Sequence, residues 1–168
     1  MKEKLKEVIP YIIIVFVVIF IKTFIVTPIR VNGPSMLPTL KEKDIMILNK
    51  TAYYFSSPKR FDIVVIDTKE NYIIKRIIGL PGEEIEYKDN ALYVNGEKVE
   101  EKIENLQTED FTSEELGSKK IPEDTYLVLG DNRMESYDSR SIGFINKKQI
   151  LGKTSLTILP FNRIGIRK

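Results

Sequence analysis

The sequence contains neither histidine nor cysteine. These two absences exclude most of the usual nucleophile–base pairs, because no Ser-His-Asp triad, Cys-His dyad or His/Cys zinc site can be built within the chain. A catalytic serine would need a lysine, a carboxylate or a terminal amine as its base, and lysine is the well-attested alternative. The lack of cysteine also excludes disulfide bridges, while it leaves the cellular compartment open.

The chain also has little surplus of charge of one sign. Its 168 residues include 26 Lys or Arg and 24 Asp or Glu, which gives a net charge of +2. The basic residues are interleaved with acidic ones and form no basic stripe, so nucleic-acid binding gains no support. The length suits one compact domain with an attached segment.

One long hydrophobic run lies near the N-terminus. Residues 1–7 are rich in charged side chains, and residues 8–26 are apolar apart from Pro10, Lys22 and Thr23. As a helix this run would be about 28 Å long, close to the roughly 30 Å of bilayer hydrocarbon. A cleavable secretory signal is the competing interpretation, but its apolar core is about 7–15 residues long and an Ala-x-Ala exit site follows it. We therefore predict a retained transmembrane anchor, whose orientation the flanking positive charges leave undecided.

Short β-type segments follow the anchor, separated by Gly, Pro, Asn and Asp. The predicted strands cover residues 45–48, 62–66, 72–78, 85–87, 91–94 and 125–129. Asn95-Gly96 predicts a type I′ hairpin, because both central positions of that turn need a positive φ. Residues 100–120 are highly charged and have no clear period, so we interpret them as a solvated excursion or short helix outside the main sheet. Residues 27–168 are therefore predicted to form a mainly β body.

The first chemical feature is a serine in a constrained turn. Ser35 lies in a segment bracketed by Gly33, Pro34 and Pro38. An ordinary surface turn is the alternative interpretation, since Gly, Pro, Asn and Ser are common turn residues. The segment alone does not decide between the two.

The second feature is a lysine among apolar residues. Lys75 falls in the predicted strand 72–78, where alternation places it on the same face as Ile73 and Ile77. The commoner fate of such a lysine is to lay its methylenes over the core and expose its ammonium. If the amine is buried, however, desolvation lowers its pKa from about 10.4, as a general base near neutral pH requires.

The third feature is a dense polar run after the last predicted strand. Residues 130–143 begin with Gly-Asp-Asn, an ordinary turn sequence, and continue with Ser136, Asp138, Ser139 and Arg140. These hydroxyl and charged groups suffice to orient another polar group. By itself the run identifies no site.

Together the three segments resemble the bacterial type I signal peptidases (leader peptidases), in their short single-anchor form, in order, spacing and residue identity. The matching residues are Gly33-Pro34-Ser35-Met36-Leu37-Pro38-Thr39-Leu40, Lys75-Arg76-Ile77-Ile78-Gly79-Leu80-Pro81-Gly82, and Gly130-Asp131-Asn132-Arg133 with Ser136 and Asp138-Ser139-Arg140. The resemblance extends from the anchor to about residue 145 and does not include residues 100–120, which we treat as a variable insertion. It implies a signal-peptidase-like antiparallel β-sheet body with one N-terminal transmembrane helix.

The resemblance also implies residue roles for a Ser/Lys dyad hydrolase. Ser35 would be the nucleophile and Lys75 the general base. Ser136 would hydrogen-bond to the lysine amine, and Asp138 with Arg140 would form a buttressing ion pair. Some family members add a side-chain hydroxyl to the oxyanion hole two positions before the nucleophile, where this chain has Gly33.

The expected function is the removal of signal peptides from exported preproteins at the lipid bilayer. The family's partners are the signal peptides of secreted preproteins and the membrane; no cofactor, metal or nucleic acid is expected. The implied topology is a single pass through the cell membrane, with residues 1–7 cytoplasmic, residues 8–26 as the anchor and residues 27–168 extracytoplasmic.

Two other enzyme classes and one binding function also have features in common with this sequence. Self-cleaving repressors and penicillin-recognising enzymes also use a Ser-Lys pair, but the membrane span disfavours the repressors. Ser56-Ser57-Pro58-Lys59 matches the Ser-x-x-Lys pattern of penicillin-recognising enzymes, yet Pro58 lies inside the motif and no Lys-Thr-Gly follows. A non-catalytic, membrane-tethered β-domain that binds partners is the alternative from a different class.

Overall fold

The structure, a computed structural model, describes residues 2–103 and 106–167. Met1, from the predicted cytoplasmic segment 1–7, lies outside the described residues. So do residues 104–105, from the predicted excursion.

The N-terminal hydrophobic run is helical. Helix α1 spans Lys2–Phe20 and continues as a π-helical turn over Ile21–Ile25. The window Val8–Ile25 has a mean hydropathy of 2.7, and none of it is buried, so this helix is long and apolar enough to cross a membrane. Val26 already belongs to the first strand, so the helix passes directly into the body.

Twelve strands among the described residues make the body mainly β, as predicted. They are β1 (Val26–Arg30), β2 (Ile45–Asn49), β3 (Ile63–Asp67), β4 (Tyr72–Gly79), β5 (Ile85–Lys88), β6 (Ala91–Val94), β7 (Glu97–Val99), β8 (Phe111–Thr112), β9 (Thr125–Leu129), β10 (Ile145–Asn146), β11 (Ile150–Leu159) and β12 (Gly165–Ile166). The larger sheet has the order β1-β2-β11-β3-β4-β9-β10, with β12 on β11. The smaller sheet has the order β7-β6-β5-β8, and all of these pairs are antiparallel.

Every strand predicted from the sequence is present, within one residue at either end. The hairpin between β6 and β7 is also confirmed, because Asn95 and Gly96 have φ values of 51° and 83°, as a type I′ turn requires. The sequence analysis did not predict β1, β8, β10, β11 or β12. Of these, β11 is the most consequential, since it is ten residues long and pairs with both β2 and β3.

The remaining helices are short. Helix α2 covers Ser139–Ile142, and 3-10 turns cover Ser113–Leu116, Arg133–Glu135, Lys147–Gln149 and Phe161–Arg163. The charged excursion contains the first of these turns and strand β8, which pairs with β5 in the smaller sheet. Phe111 and Ser113 are buried there, so part of the excursion packs against the smaller sheet.

One row of cross-strand partners connects the end of the anchor to the lysine on β4. Val26 pairs with Asn49, Asn49 with Lys153, Lys153 with Val64, and Val64 with Lys75. Adjacent strands lie about 4.8 Å apart, so four spacings separate Val26 from Lys75 by about 19 Å across the sheet. The lysine therefore stays at the level at which the anchor enters the body.

Candidate active site

The Ser35 turn is held in place by its apolar neighbours and by its own backbone. Met36 and Leu40 are fully buried in a cluster with residues of β2 and β3. The Leu37 N–H donates to the Pro34 carbonyl at 2.9 Å, and the Leu40 N–H donates to the Met36 carbonyl at 2.8 Å. The sequence folds locally so that Ser35 projects from a fixed turn.

Lys75 reaches this serine from the middle of β4. Its Nζ lies 2.7 Å from Ser35 Oγ, a hydrogen-bonding distance. The residue is only 3% exposed, so its amine does not reach bulk water as a surface lysine would. Burial lowers the pKa of Lys75 to about 8, against the carboxylates of Asp138 and Asp131, which raise it. A hydroxyl next to a buried amine of this kind can lose its proton at near-neutral pH.

Asp138 and Arg140 form the ion pair that the resemblance implies, near Ser35 and Lys75. Arg140 Nη2 lies 2.9 Å from Asp138 Oδ2, and Arg140 Nε donates to Asp138 Oδ1 at 2.9 Å. The Gly130 N–H also donates to Asp138 Oδ2, at 3.0 Å. Burial raises the pKa of Asp138, but the bonds from Arg140 and Gly130 outweigh that effect and hold the pKa below its usual value. The carboxylate is therefore charged at neutral pH.

Ser136 packs against the same glycine. A Cβ added to Gly130 would overlap Ser136 Oγ and the Ser35 carbonyl oxygen, so only glycine allows this close approach. Ser136 Oγ is buried and has no hydrogen-bond partner among the described residues. The hydrogen bond from Ser136 to the lysine amine, which the resemblance implies, is not formed in this structure.

Gly33 lies two residues before the serine, with a φ of +79°. Glycine adopts this left-handed conformation without the steric cost that a Cβ would bring. The space that a Cβ would face is open, with nothing within 4 Å. No hydroxyl therefore comes from this position.

A buried ion pair that the sequence analysis did not predict lies next to Ser35 and Lys75. Arg76, next to Lys75, forms two bonds to Asp131, of 2.6 Å and 2.8 Å. The following Asn132 N–H donates to the Ser35 carbonyl at 3.0 Å. The sequence feature that could have indicated this pair is Gly130-Asp131-Asn132, which the sequence analysis interprets only as a turn.

A second missed pair joins the polar run to the charged excursion. Arg133 Nη2 lies 2.5 Å from Glu101 Oε1, and both side chains are almost fully buried. Arg133 also donates from Nη1 to Thr108 Oγ1 at 2.7 Å and from Nε to the Gly130 carbonyl at 3.0 Å. Gly130 is thus held at its N–H by Asp138 and at its carbonyl by Arg133.

A groove of about 590 Å³ runs along β1 and reaches Asn32, three residues before Ser35 in the chain. Residues of β1 and β4 line it, together with neighbours from β2, β3 and β11. Ile29, Asn32 and Ile74 lie within six residues of Ser35 or Lys75 along the chain. In the described ranges, no group of three or more Asp or Glu residues could hold a metal ion.

Comparison with known proteins identifies the family. Residues 4–159 match the family described as "Signal peptidase, peptidase S26". The chain belongs to the signal peptidase family. As a member of this family it is a peptidase, and its antiparallel β body is the one expected from the resemblance.

Individual signal peptidases are similar over most of the chain. Signal peptidase I of Bacillus caldolyticus is 42% identical over 149 residues, which cover 82% of this chain and 81% of that protein. Signal peptidase IB of Staphylococcus aureus is 39% identical, with 96% of this chain and 92% of that protein covered. The crystal structure of a signal peptidase I from Enterococcus faecalis superposes with a TM-score of 0.52 at 40% identity, covering 58% of this chain and 97% of that one.

Proposed function

We propose that this chain is a membrane-anchored serine endopeptidase that removes signal peptides from exported preproteins with a Ser35/Lys75 dyad. Membership of the signal peptidase family supports the substrate class. The observation that carries the mechanism is the 2.7 Å separation of Lys75 Nζ and Ser35 Oγ in a site where burial lowers the pKa of the lysine to about 8.

In the proposed reaction, neutral Lys75 takes the Ser35 proton as the hydroxyl oxygen attacks the scissile carbonyl. The protonated amine then gives this proton to the departing amine of the mature protein, which leaves an acyl-enzyme. Lys75, neutral again, activates a water molecule that hydrolyses the ester. One amine thus serves every proton transfer.

The Ser35 N–H is the proposed oxyanion donor. This N–H has no hydrogen-bond partner among the described residues, so it is available to a substrate. Gly33 supplies no hydroxyl, and one such donor is worth about 3–4 kcal/mol in a well-studied hydrolase. The open space at Gly33 has room for a water molecule, which we propose as the second donor.

Asp138, Arg140 and Ser136 are proposed as positioning residues. Asp138 and Arg140 hold the polar run by bonding to the Gly130 N–H and to the Arg133 carbonyl. Because Gly130 has no side chain, Ser136 and the Ser35 carbonyl can both lie close to it. Because catalytic hydrogen bonds often tighten only in the substrate complex, we propose that Ser136 Oγ turns to the Lys75 amine there.

The substrate is proposed to bind as an extended strand in the groove along β1 and β4. Main-chain hydrogen bonds to a sheet edge give affinity in this mode, and pockets for alternate side chains give specificity. By family likeness, the first and third residues before the cut would be small. The groove is mostly apolar in its lining, as expected for a site that takes small aliphatic side chains.

The proposed topology places the site at the membrane surface. The anchor crosses the cell membrane once, residues 1–7 are cytoplasmic and the body is extracytoplasmic. The row of partners from Val26 to Lys75 supports this arrangement, because it keeps the dyad at the level of the anchor's end. A signal peptide that leaves the bilayer would meet Ser35 without having to travel outward.

The test is the processing of one preprotein by the full chain in detergent, with the new N-terminus mapped. Ser35→Ala and Lys75→Ala should each abolish cleavage. Ser56→Ala and Lys59→Ala are the matched controls, because they belong to the exposed Ser-x-x-Lys sequence and should cleave as the wild type does. Turnover by either dyad variant at the wild-type rate would refute the mechanism, and an inactive wild type would favour a non-catalytic binding domain.

A further inference from the structure

The register of the larger sheet defines which end of the body is nearest the anchor. Val26, Asn49 and Lys153 are cross-strand partners at the end where the helix enters. Arg30, Ile45 and Leu159 are partners at the opposite end. The chain leaves the near end of β2 through residues 50–58 and approaches the near end of β11 through residues 147–149, so both connections lie beside the anchor.

These two connections enclose a cavity of about 510 Å³. Its lining includes Lys50, Lys147, Tyr53, Tyr54 and the apolar residue Ile150. The cavity adjoins the end of the anchor, because Lys50 Nζ donates to the Thr23 carbonyl at 2.9 Å. It shares Lys50 and Leu151 with the proposed substrate groove, whereas Lys147 and the two tyrosines line this cavity and not the groove.

The cavity has an excess of positive charge. Neither Lys50 nor Lys147 pairs with a carboxylate in the part of the chain that the structure describes. Residues 50–60 and 143–153, which form its walls, contain no Asp or Glu. The nearby Asp62 is already bonded to Tyr53 and Lys153. Lys50 Nζ donates to the Thr23 carbonyl and Lys147 Nζ lies 3.5 Å from Ser57 Oγ. Since an ammonium group has three donors, both lysines can still donate to an anionic ligand.

The rim of the cavity is aromatic and exposed. Tyr54 is 67% exposed and Phe55 is 101% exposed. A phenylalanine that contacts nothing costs free energy in water, whereas aromatic residues are favoured at the membrane–water interface. An exposed aromatic tip next to unpaired lysines is the composition expected of a surface that meets lipid.

We propose that this cavity binds the headgroup of an anionic phospholipid. The Lys147 and Lys50 ammonium groups would contact the lipid phosphate, and Tyr54 and Phe55 would enter the interface beside it. The proposal rests on the proposed membrane anchoring. It makes the bilayer a ligand of the body, and the bound lipid would fix the tilt of the Ser35/Lys75 site over the membrane.

In a direct test, the full chain is extracted from vesicles of phosphatidylglycerol and phosphatidylcholine and purified. Native mass spectrometry then measures how much phosphatidylglycerol the chain retains. Lys147→Gln removes a charge-assisted hydrogen bond and should lower retention about tenfold. Lys147→Arg should retain the lipid. Lys148→Gln is the matched control, because it removes the same charge one residue away, outside the cavity lining, and should retain lipid as the wild type does. A melting curve followed by circular dichroism verifies that each variant is folded.

Three outcomes would overturn the proposal. The first is unchanged lipid retention in Lys147→Gln. The second is an equal loss of lipid in Lys148→Gln, which would indicate only an effect of general surface charge. The third is displacement of the lipid by an equal concentration of inorganic phosphate, which would indicate a phosphate site. Lipid retention does not require catalysis. Loss of cleavage with retention intact would therefore count against the proposed function and leave the lipid site standing.

A second test uses the absence of tryptophan from the chain. Phe55→Trp and Phe161→Trp each introduce a single fluorophore, at the near and the far end of the sheet respectively. In vesicles with brominated acyl chains, the first should be quenched at least twofold more than the second. Equal quenching would contradict the insertion of the Tyr54–Phe55 tip.

Discussion

Arg133 and Glu101 form a buried ion pair that ties the charged excursion to the loop carrying Asp138 and Ser136. The two side chains are 1% and 4% exposed, and the shortest N–O distance is 2.5 Å. The guanidinium carbon also lies 5.1 Å from the centre of the Tyr87 ring on β5. Arg133 therefore links the smaller sheet to the candidate site, in addition to the apolar core that the sheet shares with Leu127 and Leu129 of β9.

Replacement of Glu101 should lower the free energy of unfolding. Glu101→Gln leaves the Arg133 charge buried without its carboxylate, and breaking a buried pair in this way typically costs about 3–5 kcal/mol. We expect the free energy of unfolding to fall by this amount in urea titrations of the full chain. Glu100→Gln is the matched control, because Glu100 is exposed and should change stability by less than about 0.5 kcal/mol. Equal stabilities for the two variants would mean that the pair contributes nothing.

Strands with plain alternation could be predicted from the sequence, whereas β11 could not. Ile150–Leu159 pairs on both sides, and its register shifts between Ile150 and Gly152, between Thr154 and Leu156, and between Thr157 and Leu159. Each bulge inserts a residue and reverses the faces, so the period of two is lost along the strand. β6 has no such shift, and its predicted bounds are those observed.

The candidate site was predictable in its parts but not in its supports. The Pro-flanked turn at Ser35 and the apolar neighbours of Lys75 each left an ordinary structural interpretation open, and the resemblance of all three segments to the signal peptidases indicated both residues. Glu101 lies 32 residues from Arg133 in a segment without periodicity, so no local pattern connects the two. Long-range ion pairs of this kind depend on the tertiary fold, which propensities do not encode.

Gly130 should tolerate no side chain. In Gly130→Ala the new Cβ would overlap Ser136 Oγ and the Ser35 carbonyl oxygen, which forces the two loops of the site apart. A displacement of about 1 Å in a catalytic group can cost about 100-fold in rate, so we expect at least that loss in kcat. Gly117→Ala is the control, because its Cβ faces open space in the excursion and its left-handed φ of +105° adds only local strain. Gly130→Ala turnover as fast as that of Gly117→Ala would contradict the close packing.

The rate of cleavage should depend on the protonation of one amine. Burial lowers the pKa of Lys75 to about 8, and only the neutral amine can take the Ser35 proton. We therefore expect kcat/KM for a soluble signal-peptide substrate to rise with pH and to level off above about pH 8. A profile that is flat between about pH 6 and pH 9 would exclude Lys75 as the base.

The same burial should make Lys75 a destabilising residue below its folded pKa. Its pKa is lowered from 10.5 to about 8 in the folded chain, and each pKa unit corresponds to about 1.4 kcal/mol. Below about pH 8 both the folded and unfolded chains carry the charge, so the full cost of burying it, about 3 kcal/mol, is present. Between pH 8 and pH 10.5 only the unfolded amine is protonated, so the stability of the wild type rises with pH. Above that range the cost is absent.

Lys75→Met removes this charge and keeps most of the side-chain volume. At pH 7 the variant should be more stable than the wild type by up to about 3 kcal/mol, and the difference should shrink toward zero as the pH approaches 10.5. Urea unfolding of the full chain in detergent, followed by circular dichroism, measures both values. Lys88→Met, on the exposed face of β5, should change little at any pH. A Lys75→Met variant that is no more stable than the wild type at pH 7 would mean that the amine is hydrated, and the proposed dyad would then lose the desolvation on which its proton transfer depends.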